Sequence, residues 1–188
     1  KIWAEWAYSA GVDERGISFV LTYPELVNSE RTTPRSLTQF FEQIASIEDL
    51  KGNLQLVEAL ALSSLDEVTV SSFIAFVNDE LTQLIDPEEI LDAEDFKSIS
   101  KKIKDISVDD SGAKRVDRLS TMCSRLYLKL TSEDYNPSKI HSENLVQFLL
   151  LDTIPNDLLM SLYMDLQKHG GDEIKEMTRD KKLASKLL

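Results

Sequence analysis

Apolar residues recur every three to four positions along almost the whole chain, the spacing that gives an α-helix one buried stripe. Trp3, Trp6, Ala7 and Ala10 share one face of a first helix, and Gly11 stops it. Asp13 caps a second, in which Ile17, Val20 and Leu21 keep the spacing until Tyr23-Pro24 ends it, because the residue before a proline is pushed out of the α region. Thr33 is a good N-cap and Pro34 suits the first position of a third helix, whose stripe is Leu37, Phe40, Phe41 and Ile44. After Asn53, "LQLVEALALSSL" is so dense in Leu and Ala that it reads as a central, mostly buried helix. Asp66 then opens a single long helix with Val70, Phe73, Ile74, Val77, Leu81 and Leu84 in register, a pattern that outweighs the weak strand signal of "VTV". Residues 1–85 are thus expected to form a five-helix unit.

Asp86-Pro87 marks its end. The acidic stretch 86–95, "DPEEILDAED", reads as helix N-terminal acids and a solvated linker. Beyond it, "FKSISKKIKDI" is a short helix with a basic face, and "VDDSGAK" (Val108–Lys114) is a loop. Leu119, Met122, Cys123, Leu126 and Leu130 line one face of the next helix. Asn136-Pro137 precedes another, and Ile154-Pro155 leads into one that Gly170-Gly171 terminates before a helical tail. The fold class is all-α: a helical bundle followed by a second helical segment over residues 96–188.

Charge separates the two parts. Of the 188 residues, positions 1–95 hold 19 Asp and Glu against 5 Lys and Arg, a net of −14, while positions 96–188 carry a net of +2. The overall charge of −12 argues against nucleic acid or an anionic membrane as the main partner. No apolar run is long enough to cross a bilayer. Cys123 is the only cysteine, which excludes a disulfide framework and points to a reducing, cytoplasmic setting. The N-terminus begins inside an amphipathic helix and without methionine, so the chain is expected to be part of something longer.

Catalytic constellations are sparse. His141 and His169 have no second histidine or cysteine at ligand spacing and read as ordinary surface or loop residues. Ser98 to Lys101 matches S-x-x-K without any supporting motif, and neither G-x-x-x-x-G-K-[ST] nor G-x-G-x-x-G occurs. The acidic pairs Glu88-Glu89, Asp109-Asp110 and Asp172-Glu173 fall at loops and helix starts. Trp3 and Trp6 could serve as a stacking platform for bases, but their helical spacing favours core packing.

One residue resists these assignments. Arg35 lies about 160° around its helix from Leu37, on the exposed side of the first turn. A cation there opposes the helix dipole, at a cost of about 0.3–1 kcal/mol. Arg31 and Arg35 are two of only three arginines in the acidic half. The pair reads either as an anion site or as a surface salt-bridge cluster, with Arg35 paired to a neighbour such as Glu30. Free N–H groups at the helix start and a guanidinium suited to bidentate contact both favour phosphate.

Three elements in order, "W-x-x-W-A" (Trp3 to Ala7), "ISFVLTYPELV" (Ile17–Val27) and "TTPRSL" (Thr32–Leu37), resemble the helical lid of a MoxR-type AAA+ ATPase. The likeness covers residues 1–85. It implies that Arg35 is the second-sensor residue reaching the phosphates of ATP, with Pro34 and Ser36 as the flanks of its motif. The phosphate loop, the Mg²⁺-binding acidic motif and the arginine finger are missing here, so ATP and Mg²⁺ would be held by a preceding α/β ATPase domain and not by this fragment alone. The resemblance further implies a ring homo-oligomer that remodels a protein client, with residues 96–188 as a C-terminal helical extension. The fragment itself is then not an enzyme. The alternative is a stand-alone acidic all-α interaction module with no nucleotide role.

Overall fold

The computed structural model describes residues 2–28, 31–81, 84–109 and 111–187, all of them in helices, turns and connecting segments. No strand occurs among the described residues; a single antiparallel bridge, Val108 with Lys114, closes the loop between two helices. The chain divides into two compact units, residues 1–83 and 84–188.

The first unit contains α1 (Ile2–Ser9), α2 (Glu14–Thr22), a 3₁₀ turn (Pro24–Asn28), α3 (Pro34–Ile44), α4 (Leu54–Ser64) and α5 (Glu67–Ala75). Gly11 ends α1 with a φ of 71°, a left-handed conformation that side chains resist, and the Val12 N–H turns back to Ala7 O at 2.9 Å. Asp13 caps α2 by accepting from Arg15 N at 2.9 Å. The apolar stripe of α3 is buried throughout, and its phenylalanines join Phe19 and Phe73 in one aromatic core. Phe73 meets Phe19 and Phe40 edge-on, with ring centroids 5.1 and 5.0 Å apart, a geometry worth about 0.5–1.5 kcal/mol per pair beyond area burial.

Three expectations for this unit change. First, α4 is peripheral: only Val57 and Ala61 are buried, while Leu56 and Leu62 are 51% and 45% exposed. It packs on α3 and α5, with Leu54 and Leu60 half-buried. Second, the long helix from Glu67 gives way at Phe76 to a π turn (Phe76–Glu80). Phe76 and Val77 are both buried in this turn. The expected continuation through Thr82 and Gln83 lies outside the described residues. Third, α1 buries Ala4 and Ala7 but leaves Trp6 52% exposed and Ala10 exposed.

The second unit contains α6 (Pro87–Leu91), α7 (Phe96–Ile106), α8 (Val116–Leu130), α9 (Lys139–Leu149), α10 (Asn156–His169), α11 (Asp172–Met177) and α12 (Lys181–Leu187). α8 is its axis, with Leu119, Met122, Cys123, Leu126 and Leu130 all buried. The stretch 86–95, expected as a solvated linker, instead contains α6, with Pro87, Ile90 and Leu91 buried. Its acids begin the helix, as their position suggested, yet they also pair with the cations of neighbouring helices. Asp86 meets Arg125 at 2.6 Å, Glu88 meets Lys129 at 2.5 Å, and Glu89 meets Lys102. Asn144 of α9 donates to Leu91 O and Ala93 O, both at 2.9 Å, which fixes the far end of α6.

Candidate functional site

The N-terminus of α3 is held from two sides. Thr33 and Ser36 form a reciprocal capping box: Ser36 N donates to Thr33 Oγ1 at 3.2 Å and Thr33 N to Ser36 Oγ at 2.9 Å. Just before it, the fully buried Thr32 donates to the Asp66 carboxylate and lies 3.0 Å from Thr69 Oγ1. Asp66 in turn caps α5 by accepting from Thr69 N at 2.9 Å. One carboxylate thereby ties the start of α3 to the start of α5. Arg35, one residue into this anchored turn, is positioned by backbone that cannot drift far.

The three arginines of the acidic half differ sharply in their surroundings. Arg15 is saturated: it pairs with Asp13 at 2.5 Å and donates to Ile44 O at 3.1 Å and Ile47 O at 2.6 Å. It therefore satisfies carbonyls at the C-terminus of α3. Arg31 makes one long contact to Ser63 O at 3.4 Å. Arg35 is exposed and makes no hydrogen bond or ion pair among the described residues. Glu30, the neighbour considered for a salt bridge, lies outside the described residues.

Arg35 opens onto a groove of about 630 Å³ between α1 and α3. Trp3 and Trp6 form the wall from α1; Arg35, Thr38, Gln39 and Glu42 form the wall from α3, with Pro34 at its edge. Positions 35, 38, 39 and 42 follow the helical period, so the exposed flank of α3 is a continuous polar strip facing two indoles. Trp3 packs against Phe41, ring centroids 6.2 Å apart, and its Nε1 is buried with no acceptor among the described residues. A buried donor left unpaired costs about 1–3 kcal/mol. Of the three motif residues, Pro34 and Arg35 line the groove, whereas Ser36 is engaged in the capping box.

Sequence reasoning found Arg35 by its misfit with the helix dipole but assigned both tryptophans to the core. The exposed ring of Trp6 shows why that fails: a three-residue spacing places Trp3 and Trp6 on neighbouring but different sectors of α1. Only Trp3 reaches Phe41.

His141, expected as an ordinary surface residue, is 16% exposed and bridges two partners. Its Nε2 lies 2.7 Å from Asp92 Oδ1, and its Nδ1 lies 3.1 Å from Tyr135 Oη. Burial, reinforced by Asp92 and Glu173, pushes the Tyr135 hydroxyl up to about 12. Cys123 is buried and its thiol is likewise pushed up to about 12, which makes it a packing residue and a poor nucleophile. Among the described residues no group of His, Cys, Asp and Glu is arranged to hold a metal ion, and no helix is long and apolar enough to cross a membrane.

Comparison with known proteins found no matching family model, no matching curated protein and no matching solved structure.

Proposed function

We propose that this chain is the helical lid and C-terminal extension of a MoxR-type AAA+ ATPase. The observation that carries the reading is Arg35: a cation on the capped first turn of α3, exposed, and without a partner among the described residues. An arginine that opposes a helix dipole and has no partner among the described residues is best accounted for by an anion supplied from elsewhere. The likeness of "TTPRSL" to the second-sensor motif names that anion as the phosphates of ATP.

In this reading the phosphates and Mg²⁺ are held by an α/β domain preceding the lid, and Arg35 adds a contact that exists while ATP is bound. Loss of the terminal phosphate removes the contact and frees the lid to move, which couples hydrolysis to neighbours in a ring and to a protein client. Residues 96–188 are, in this reading, a C-terminal helical extension for subunit or client contacts.

The test uses the full-length gene product. A G-x-x-x-x-G-K-[ST] loop should be encoded upstream of Lys1, and Arg35→Ala should lower ATP turnover at least about tenfold, the loss of one charge-assisted contact, while the melting temperature holds. Normal turnover by that variant, or an upstream frame without a phosphate loop, overturns the assignment. Exposed Leu56, Leu62 and Val68 favour the second reading, an acidic interaction module. Salt-sensitive capture of a basic partner, with Arg35 dispensable, would establish it instead.

A further inference from the structure

We propose that the groove between α1 and α3 binds a nucleoside phosphate directly, with the base stacked on Trp6 and the phosphate held by Arg35. The inference deepens the preceding one and rests on its choice of phosphate for Arg35. It adds the rest of the molecule, and it gives this chain a binding site of its own.

Size comes first. A groove of about 630 Å³ has room for a compact ligand, since small-molecule sites span about 300–1,000 Å³. Its two walls ask for different things in one molecule. The α1 wall offers the half-exposed ring of Trp6, a π-face on which a flat heterocycle stacks with little regard to sequence or substituent. The α3 wall offers the guanidinium of Arg35, without a partner among the described residues, and a guanidinium matches phosphate oxygens two at a time. Inorganic phosphate satisfies only the second, and an uncharged ring only the first.

The remaining polar groups sharpen the choice. Thr38 is already engaged, donating to Pro34 O at 2.9 Å. Gln39 and Glu42 are exposed along the same strip. Glu42 accepts from a sugar hydroxyl or an exocyclic amino group and repels a second anionic centre. The groove therefore fits a ligand with its anion at one end and neutral donors at the other.

The chain reports on this site by itself, because Trp3 and Trp6 are its only two tryptophans. Tryptophan fluorescence of the 188-residue chain is titrated with AMP, ADP, adenosine and inorganic phosphate at fixed ionic strength. AMP and ADP should quench saturably, with adenosine and phosphate each weaker by about tenfold, the loss of one stack or one charge-assisted contact. Trp6→Ala, read through Trp3, and Arg35→Ala should each weaken AMP binding by about tenfold with unchanged circular dichroism. Trp6→Phe should retain most of the affinity, and Trp3→Phe should leave a quench that comes from Trp6 alone. No saturable quench up to about 10 mM AMP overturns the proposal. So does phosphate binding as tightly as AMP, or Trp6→Ala without effect. The two inferences fail separately: normal turnover of Arg35→Ala in the full-length protein removes the lid assignment, while the quench is measured without any turnover.

Discussion

Gly16 of α2 lies directly against the ring of Phe41 of α3: a Cβ at position 16 would come within 2.4 Å of Phe41 Cγ and 2.5 Å of Cδ1. Here the glycine serves close approach, since its backbone is ordinary helix and only its missing side chain lets the two helices meet. Gly16→Ala should therefore destabilise the first unit by about 1–3 kcal/mol through overpacking, despite alanine's better helix propensity. Urea denaturation checks it. Adding Phe41→Leu should recover part of the loss, and a stabilised Gly16→Ala would mean the two helices are not so closely seated.

Arg15 and Arg35 make a matched pair for separating structure from function. Arg15 is tied to Asp13 and to carbonyls at the end of α3, so Arg15→Ala leaves acceptors unpaired and should cost about 1–3 kcal/mol. Arg35 opposes the dipole at the other end of the same helix and has no partner among the described residues. Arg35→Ala should leave stability unchanged or raise it by about 0.3–1 kcal/mol. Denaturation midpoints of the two variants, measured side by side, decide the matter; equal losses would mean Arg35 has a structural partner.

The helical period made much of this architecture legible. Leu37, Phe40, Phe41 and Ile44 are buried as their spacing requires, and Thr33 caps where the pattern begins. Composition without phase misled at α4, where a run of Leu and Ala says nothing about which face meets the core. Phase without tertiary context misled at Phe76, where the helix passes into a π turn that no local signal announces. Charge misled at 86–95: acids read as solvation, while their partners Lys102, Arg125 and Lys129 come from helices further along the chain. The candidate site divides the same way. Arg35 stands out within its own helix, but the groove arises from α1 lying beside α3, and His141 finds Asp92 at a separation of 49 residues.

Asp66 joins the start of α3 to the start of α5 through Thr32 and Thr69. Asp66→Ala removes the N-cap of α5 and one acceptor of the buried Thr32 hydroxyl, which keeps its contact with Thr69 Oγ1, at a combined cost of about 1–3 kcal/mol. Thr32→Val, nearly isosteric, removes one donor while leaving the cap, and should cost about 1 kcal/mol. A double variant less damaging than the sum of the two singles would show that they act through one contact. Additive losses would show that the cap and the tether are independent.

Acid should weaken the second unit through the α6 acids. Partial burial pushes the Glu88 carboxyl up, but its hydrogen bond and charge contact with Lys129 leave it below the usual 4.5. Glu89 is lowered chiefly by its hydrogen bond to Lys102. Both groups bind protons more weakly folded than unfolded, so their stabilisation is fully present above pH 4.5 and is lost as the pH falls through the folded values. Asp117, held down mainly by Arg115, adds a similar loss below its ordinary 3.8. Lys129→Met should lift the Glu88 carboxyl toward its ordinary value or above it. The fall in stability between about pH 5 and pH 3 should then be shallower than in the unaltered chain. Glu88 and Lys129 are partly exposed, so added salt should reduce the difference between the two proteins. Denaturant midpoints across that range provide the measurement; parallel curves at low salt would exclude the Glu88–Lys129 pair as a source of acid sensitivity.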